Sequence, residues 1–382
     1  MKLLSVSSLK YLLVGLILTV TFFACTKTSE NPVETNTKET DRKALLANLS
    51  DNIIVPAYAD FKIQFDDMLA KADVFTATPN TANLIAYRAS WRAAYINWQK
   101  VEMFDFGPGQ TYAIRAHFNI YPTNVSIIQA NTAAGNANLE VPASYAAQGF
   151  PAIDYLINGI GANDTEIIAA YTTATDAAKK LNYLKRITNQ MNTVFTQVYT
   201  AWKGNFATNF KSKTAIDAGS STSTLINGYI LNFERYIRSG KIGIPAGSMT
   251  PGNSFPEKVE AFYTKDLGLT LAKTAQTATY NLFLGKSYQN QTAGYSIKNY
   301  LDALGVKDAT SGKLLSELIT QQFDLIDVNL NGLQNNLYSE VNNNKPKMVN
   351  TYNEMQKLVR LLKVDMTSAM SVTITYTDND GD

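Results

Sequence analysis

Residues 148–159 read Gln148-Gly149-Phe150-Pro151-Ala152-Ile153-Asp154-Tyr155-Leu156-Ile157-Asn158-Gly159, a short helix that opens on one glycine and closes on another. Gly149 frees the backbone just before the first turn, and Pro151, with a preset φ and no N–H to satisfy, suits a helix start. Phe150, Ile153 and Ile157 recur at helical spacing, and Asp154 follows Pro151 by three residues on the same side.

Working outward, the same periodicity fills most of the chain. Leu46, Leu49, Ile53, Phe61, Phe65 and Met68 mark a long amphipathic helix that Pro56 is expected to kink or break. Thr78-Pro79 reads as an N-cap and first-turn proline ahead of the stripe Leu84, Tyr87, Trp91, Ala94, Trp98 and Val101. Trp91 and Trp98, two turns apart, read as core packing rather than ligand stacking. Loops or short helices are expected over 124–147, and Leu184, Ile187, Met191, Val194, Phe195 and Trp202 mark the next long helix. The stripe Leu225, Tyr229, Phe233, Ile237 is expected to stop at Ser239-Gly240. Residues 256–285 and 312–338 are helical by pattern and carry no continuous charged site, and a last helix is expected over 346–370. Only Val372, Ile374 and Tyr376 alternate as a strand does. The fold class is therefore all-α, two packed helical bundles with at most a short extended segment near the C-terminus, and the Ser/Thr-rich connection 211–224 is the candidate boundary.

The first 24 residues carry Lys2 and Lys10 and then an uncharged run over 11–24, shorter than the roughly 20 residues that span a bilayer. This is the pattern of a secretory signal peptide. The run ends Phe22-Phe23-Ala24-Cys25, and Cys25 is expected to become a lipidated N-terminus. Residues 26–40 are polar and aperiodic, a tether expected to be disordered. The expected organisation is thus 1–24 signal peptide, 25–44 tether, 45–211 first bundle with the signature helix, and 212–382 second bundle. One cysteine allows no intramolecular disulfide, so stability rests on the core, which 45% apolar residues can supply. A net charge of +2 without a clustered Lys/Arg run argues against a nucleic-acid partner.

The order of landmarks resembles the imelysin-like family. These are Trp98-Gln99 ahead of Phe106-Gly107-Pro108, the step Tyr121-Pro122, Gln148-Gly149-Phe150, and Gly240-Lys241-Ile242-Gly243-Ile244-Pro245-Ala246-Gly247 after a helix holding Glu234 and Arg235. An Asp-Gly-Asp ending is also similar to that family; it lacks the Glu and the second helix of a calcium loop. The resemblance covers residues 45–382. In the family, a Gly-x-His-x-x-Glu signature is thought to supply a His and a Glu to a metal site. Here those positions are Pro151 and Asp154. The cleft residues that the resemblance and its neighbourhood suggest are Glu102, Arg115, His117, Gly149, Phe150, Asp154, Glu234 and Lys241.

The family has been labelled both a peptidase family and a set of iron-uptake-associated envelope proteins. A catalytic zinc site usually takes two His and a third protein ligand, whereas this chain has one His, His117, and no His-Glu-x-x-His run. A Ser-His-Asp or Cys-His arrangement would also need His117. Catalysis is not expected, and a metallopeptidase is the alternative; a third reading is a structural or interaction lipoprotein with a decayed site. Iron or another hard cation would be held weakly by oxygen ligands, with Asp154 the metal candidate and Glu102 and Glu234 the other carboxylates near the landmarks. Asp154 could equally favour a helix N-terminus by its charge, about 0.3–1 kcal/mol. The expected role is a binding component linked to iron acquisition. It would be lipid-anchored in the bacterial cell envelope, facing the periplasm or exposed on the outer membrane, with iron-uptake components as partners.

Overall fold

The computed structural model describes residues 32–250 and 253–377, so the expected signal peptide, Cys25 and the Asp-Gly-Asp ending lie outside the described residues. Asp41–Asp382 forms one compact unit; Met1–Thr40 clusters by itself, and only 32–40 of it are described. The principal helices are α1 (Pro32–Asn48), α2 (Val55–Ala77), α3 (Thr81–Trp98), α4 (Ile114–Phe118), α5 (Gly149–Asp154), α6 (Ala177–Lys203), α7 (Ser221–Leu231), α8 (Gly268–Phe283), α9 (Leu315–Asn331) and α10 (Leu337–Arg360). Among the described residues there is no strand, only two isolated bridges, Lys286 with Ala293 and Lys307 with Leu314.

The molecule is built as two packed helical bundles. In the first, α2 packs along α3 and α6, and the core between them is aromatic. Phe61 meets Phe195 edge-on at 4.9 Å, Trp98 stacks on Phe118 at 4.7 Å, and Phe150 of the signature helix stacks on Tyr95 at 4.5 Å. Trp91 and Trp98 are fully enclosed, as their position on one stripe implies. In the second, α9 and α10 pack together and α10 lies along the π-helical continuation of α7, residues Asn232–Gly243. Phe233, Tyr280, Phe283 and Phe323 fill that core. The bundles meet where α8 crosses α3 and where α7 reaches the turn at Glu102–Phe104. The expected boundary at 211/212 falls inside the compact unit: Lys211 pairs with Asp51 at 2.8 Å, and the Thr214 carbonyl accepts from Arg42.

Several local expectations are corrected. The stretch expected as a tether is helical from Pro32, in a helix that runs to Asn48 and buries Leu45 and Leu46. Pro56 does not break its helix, because a π turn over Leu49–Ile54 precedes it and places it in the first turn of α2, where a missing N–H is tolerated. The cap of α3 is Asn80 rather than Thr78, its side chain accepting from Asn83 N at 2.9 Å. The helix after Leu225 runs past Ser239-Gly240 and ends only at Gly247, whose φ is +74°. Residues 259–266 are not helical, although Val259, Phe262 and Leu267 mimic a stripe: Ala261 and Lys265 are left-handed, with φ of +56° and +64°. The last helix starts at Leu337 and is kinked at Asn344, two residues before Pro346. The extended tail at Ser371–Thr377 joins no sheet; the Asn227 side chain instead donates to Thr373 O and accepts from Thr375 N.

Candidate binding cleft

At the junction of the bundles lies Lys241, fully buried on the π segment. Flanking glycines let that segment come in close: a Cβ on Gly240 would sit 2.9 Å from Tyr121 Oη, and one on Gly243 2.7 Å from the Tyr352 ring. The Lys241 ammonium donates to Glu260 Oε2 and Gln99 Oε1, both at 2.6 Å, and lies 3.7 Å from Glu102 Oε1. Glu102 Oε2 accepts from Trp98 Nε1 and Asn119 Nδ2, both at 2.8 Å, and its Oε1 pairs with Arg115 Nη1 at 3.0 Å. Glu260 Oε1 takes the same Asn119 amide at 2.8 Å and the Tyr95 hydroxyl at 3.1 Å. Two cations and two carboxylates are thus interlocked away from solvent, an arrangement that only close ion pairing makes tolerable.

The electrostatics follow from this pairing. Burial pushes the Glu102 carboxyl up, but Arg115, Lys241 and the Asn119 amide outweigh it and hold the group down at about 2. Burial works against the Arg115 charge too, and Glu102 more than offsets it. Burial pushes the Tyr95 and Tyr121 phenols well up, and Glu260 adds to both. Asp105, half-buried near the cluster, is pushed up to about 6 by desolvation despite Arg115.

Through Arg115 and Asn119 the cluster reaches a cleft of about 410 Å³, which these two line together with Tyr121, Arg235, Tyr236 and Lys258, among others. Its walls come from α4, the Tyr121-Pro122 step, the π segment and the turn at Pro256–Lys258. A larger cavity of about 520 Å³ lies elsewhere, lined by Asp60, Lys100, Met103, Lys273 and Tyr288, and none of the cluster lines it. We place the site at the smaller cleft, because the buried charges converge there.

Of the residues expected from sequence, Glu102, Arg115 and Lys241 come together. Gly149 and Phe150 support them from behind, Phe150 by stacking on Tyr95 and by accepting from Trp91 Nε1 at 3.3 Å. His117 points away: Nδ1 lies 3.3 Å from Gln148 Oε1 and the ring meets Tyr145 edge-on, and burial lowers its basicity. Glu234 belongs to another cluster, where Oε1 meets Lys363 at 2.9 Å and Oε2 accepts from Tyr376 at 2.7 Å, fastening the tail. Sequence reasoning missed Glu260, Asn119, Tyr236 and Lys258. The available signal for Glu260 was a carboxylate between Val259 and Ala261 in an otherwise apolar run.

Asp154 holds a loop. Its Oδ2 accepts from Tyr263 N at 2.9 Å, and its Oδ1 from Thr264 N at 3.1 Å and Asn158 Nδ2 at 2.9 Å. It thereby fixes the 259–266 segment that delivers Glu260. Pro151 offers no donor atom beside it. Among the described residues no group of three or more His, Cys, Asp or Glu side chains converges on a metal-sized site.

The pattern of the imelysin family (peptidase M75) matches residues 54–364. The chain belongs to the imelysin family. Iron-regulated protein A of Synechococcus elongatus is 22% identical over 254 residues, 64% of this chain and 65% of that protein, so the match spans just under two thirds of the relative. Two crystal structures share the fold at 18% identity. One, provisionally described as an iron-regulated protein A precursor of Parabacteroides distasonis, superposes with a TM-score of 0.70 over 87% of this chain and 95% of that one. The other, an imelysin-like protein of Psychrobacter arcticum, gives 0.66 over 88% and 98%.

In this imelysin-family chain Asp154 is also a pH-sensitive group. Burial raises its carboxyl to about 7, against the opposing pull of Asn158, the two backbone N–H groups and Arg92. A folded-state value above the unfolded one means that its proton favours the fold below about pH 4, and that this contribution is lost as pH rises through about 7. Relative to Asp154→Asn, the wild type should gain stability as pH falls from 7 towards 4, with a slope of at most about 1.4 kcal/mol per pH unit. Urea titrations of both proteins across that window check it; parallel curves would remove Asp154 as the titrating group.

Proposed function

We propose that the chain is a lipid-anchored, non-catalytic binding component of the bacterial cell envelope, associated with iron acquisition and with iron-uptake components as partners. The relatives' names supply the iron link. No helix among the described residues is long and apolar enough to cross a membrane, and attachment through Cys25 needs none. One observation carries the non-catalytic reading: the buried carboxylates at and behind the cleft are held by hydrogen-bond donors or faced by buried cations. Glu102, Glu260 and Asp154 face ammonium, guanidinium, amide or backbone N–H groups, so none stands ready to activate a water or to grip a bare cation. Among the described residues, no group of His, Cys, Asp or Glu offers a resident metal ion a ligand set.

Calorimetry with ferric, ferrous and zinc ions should give weak binding at most, and peptide substrates should stay intact in the presence of each metal. Tight ion binding that survives Asp154→Ala would place a metal site elsewhere, and metal-dependent proteolysis abolished by His117→Ala would overturn the reading. Mass spectrometry of the mature protein should find acylated Cys25 at its N-terminus; any other terminus removes the anchor.

A further inference from the structure

We propose that the cleft walled by Arg115, Tyr121, Arg235, Tyr236 and Lys258 binds an oxyanion-bearing small molecule, with a polycarboxylate or its anionic ferric complex as the ligand class. The inference rests on the preceding reading and names what the binding component binds.

The cleft is built for negative charge. Arg115, Arg235 and Lys258 line it, while the carboxylates of the cluster, Glu102 and Glu260, are already paired with Arg115 and Lys241. Asp105, the other acid near Arg115, is half-buried and does not line the cleft. Arg235 donates to the Thr377 carbonyl, and Lys258 rides 4.2 Å above the Phe255 ring. Among the described residues no carboxylate lies within ion-pair distance of either. Among the described residues that line the cleft there are three cations, Arg115, Arg235 and Lys258, and no carboxylate, which favours an anion over a bare cation.

The second observation is unmet hydrogen-bonding capacity. Arg115 is 6% exposed, yet its Nε has no acceptor, and its Nη1 faces Glu102 at 3.0 Å outside hydrogen-bond alignment. The Tyr121 hydroxyl is likewise buried without a partner. Stable folds keep few such groups, and these two line the same cleft. The guanidinium lies 3.2 Å over the Tyr236 ring, which fixes its plane. A guanidinium with its plane fixed and its Nε without an acceptor is suited to an oxygen of a carboxylate or phosphate. The volume of about 410 Å³ suits a small molecule of this kind.

The test is calorimetry on the full chain at low salt with citrate, ferric citrate and inorganic phosphate, and with a neutral amide as control. Saturable binding of at least one oxyanion and none of the amide is expected; which of the three binds tightest separates a free polycarboxylate, a chelate and a phosphate. Lys258→Gln and Arg235→Gln, both at half-buried positions, should each weaken binding about tenfold, and Arg115→Lys, which keeps the charge facing Glu102, should weaken it at least as much. Circular dichroism identifies any variant that fails to fold. Absence of saturable binding of all three oxyanions to folded wild type, or affinity unchanged in both Lys258→Gln and Arg235→Gln, overturns the proposal. Ion calorimetry, peptide digestion and the N-terminal mass use no oxyanion, so a failure here is distinguishable from a failure of the binding-component reading.

Discussion

Replacing Lys241 by methionine is expected to destabilise the fold by about 3–5 kcal/mol, the range for removing one partner of a buried ion pair. Methionine keeps most of the stem and its packing, so the loss isolates the ammonium. Without it, Glu260 Oε2 and Gln99 Oε1 lose donors at 2.6 Å, and Glu102 loses a cation at 3.7 Å, all away from solvent. The energy lies mainly in the carboxylate left behind, so neutralising Glu260 should recover part of it. Glu260→Gln retains an oxygen for Asn119 and Tyr95, and the double variant should be more stable than the sum of the two single losses by on the order of 1–3 kcal/mol. Urea midpoints at pH 7 for the four proteins close the cycle. A Lys241→Met loss below about 1 kcal/mol, or strict additivity, would show that the charges at the junction do not depend on one another.

How far the sequence could lead is seen in what Lys241 touches. Its helix was legible, because Leu225, Tyr229, Phe233 and Ile237 repeat at a spacing that only a helix buries on one side. Its partners were not, since Gln99 and Glu260 come from other elements and 142 residues separate Lys241 from Gln99. Nothing local marks such a pair. The loop carrying Glu260 was misleading: its apolar residues imitate a stripe, while what shapes it is the left-handed backbone at Ala261 and Lys265 and the grip of Asp154 from 109 residues earlier. Asp154 itself was found by position, and its role was not, because a carboxylate that accepts backbone N–H groups reads the same in sequence as one that waits for a metal. The π segments escaped for a related reason. A one-residue widening of the hydrogen-bonded ring leaves the apolar period nearly intact, and at Asn232–Gly243 it carried the helix through glycines that ordinarily mark an end.

The signature helix allows the sharpest separation of causes. Gly149→Ala is expected to cost about 2–5 kcal/mol, against about 1–2 kcal/mol for Gly135→Ala. Both glycines are left-handed, with φ of +76° and +75°, so the backbone penalty of adding a Cβ is shared. Their surroundings differ: a Cβ at Gly135 would meet nothing within 4 Å, whereas one at Gly149 would lie 2.3 Å from the Phe118 carbonyl oxygen and 2.9 Å from that of His117. Those are main-chain atoms of α4 and cannot rotate away, so the two helices must separate. Phe150, the next residue, would then lift from Tyr95, which it stacks upon at 4.5 Å with the rings 6° from parallel. Tyr95 in turn holds Asn119 at 2.7 Å and Glu260 at 3.1 Å, so the disturbance should reach the charged cluster at the cleft and weaken oxyanion binding, which Gly135→Ala should leave unchanged. Paired urea titrations and near-ultraviolet dichroism of the aromatic core measure both effects. Equal losses for the two alanines would mean that the close approach of α5 to α4 does not decide how this helix is seated.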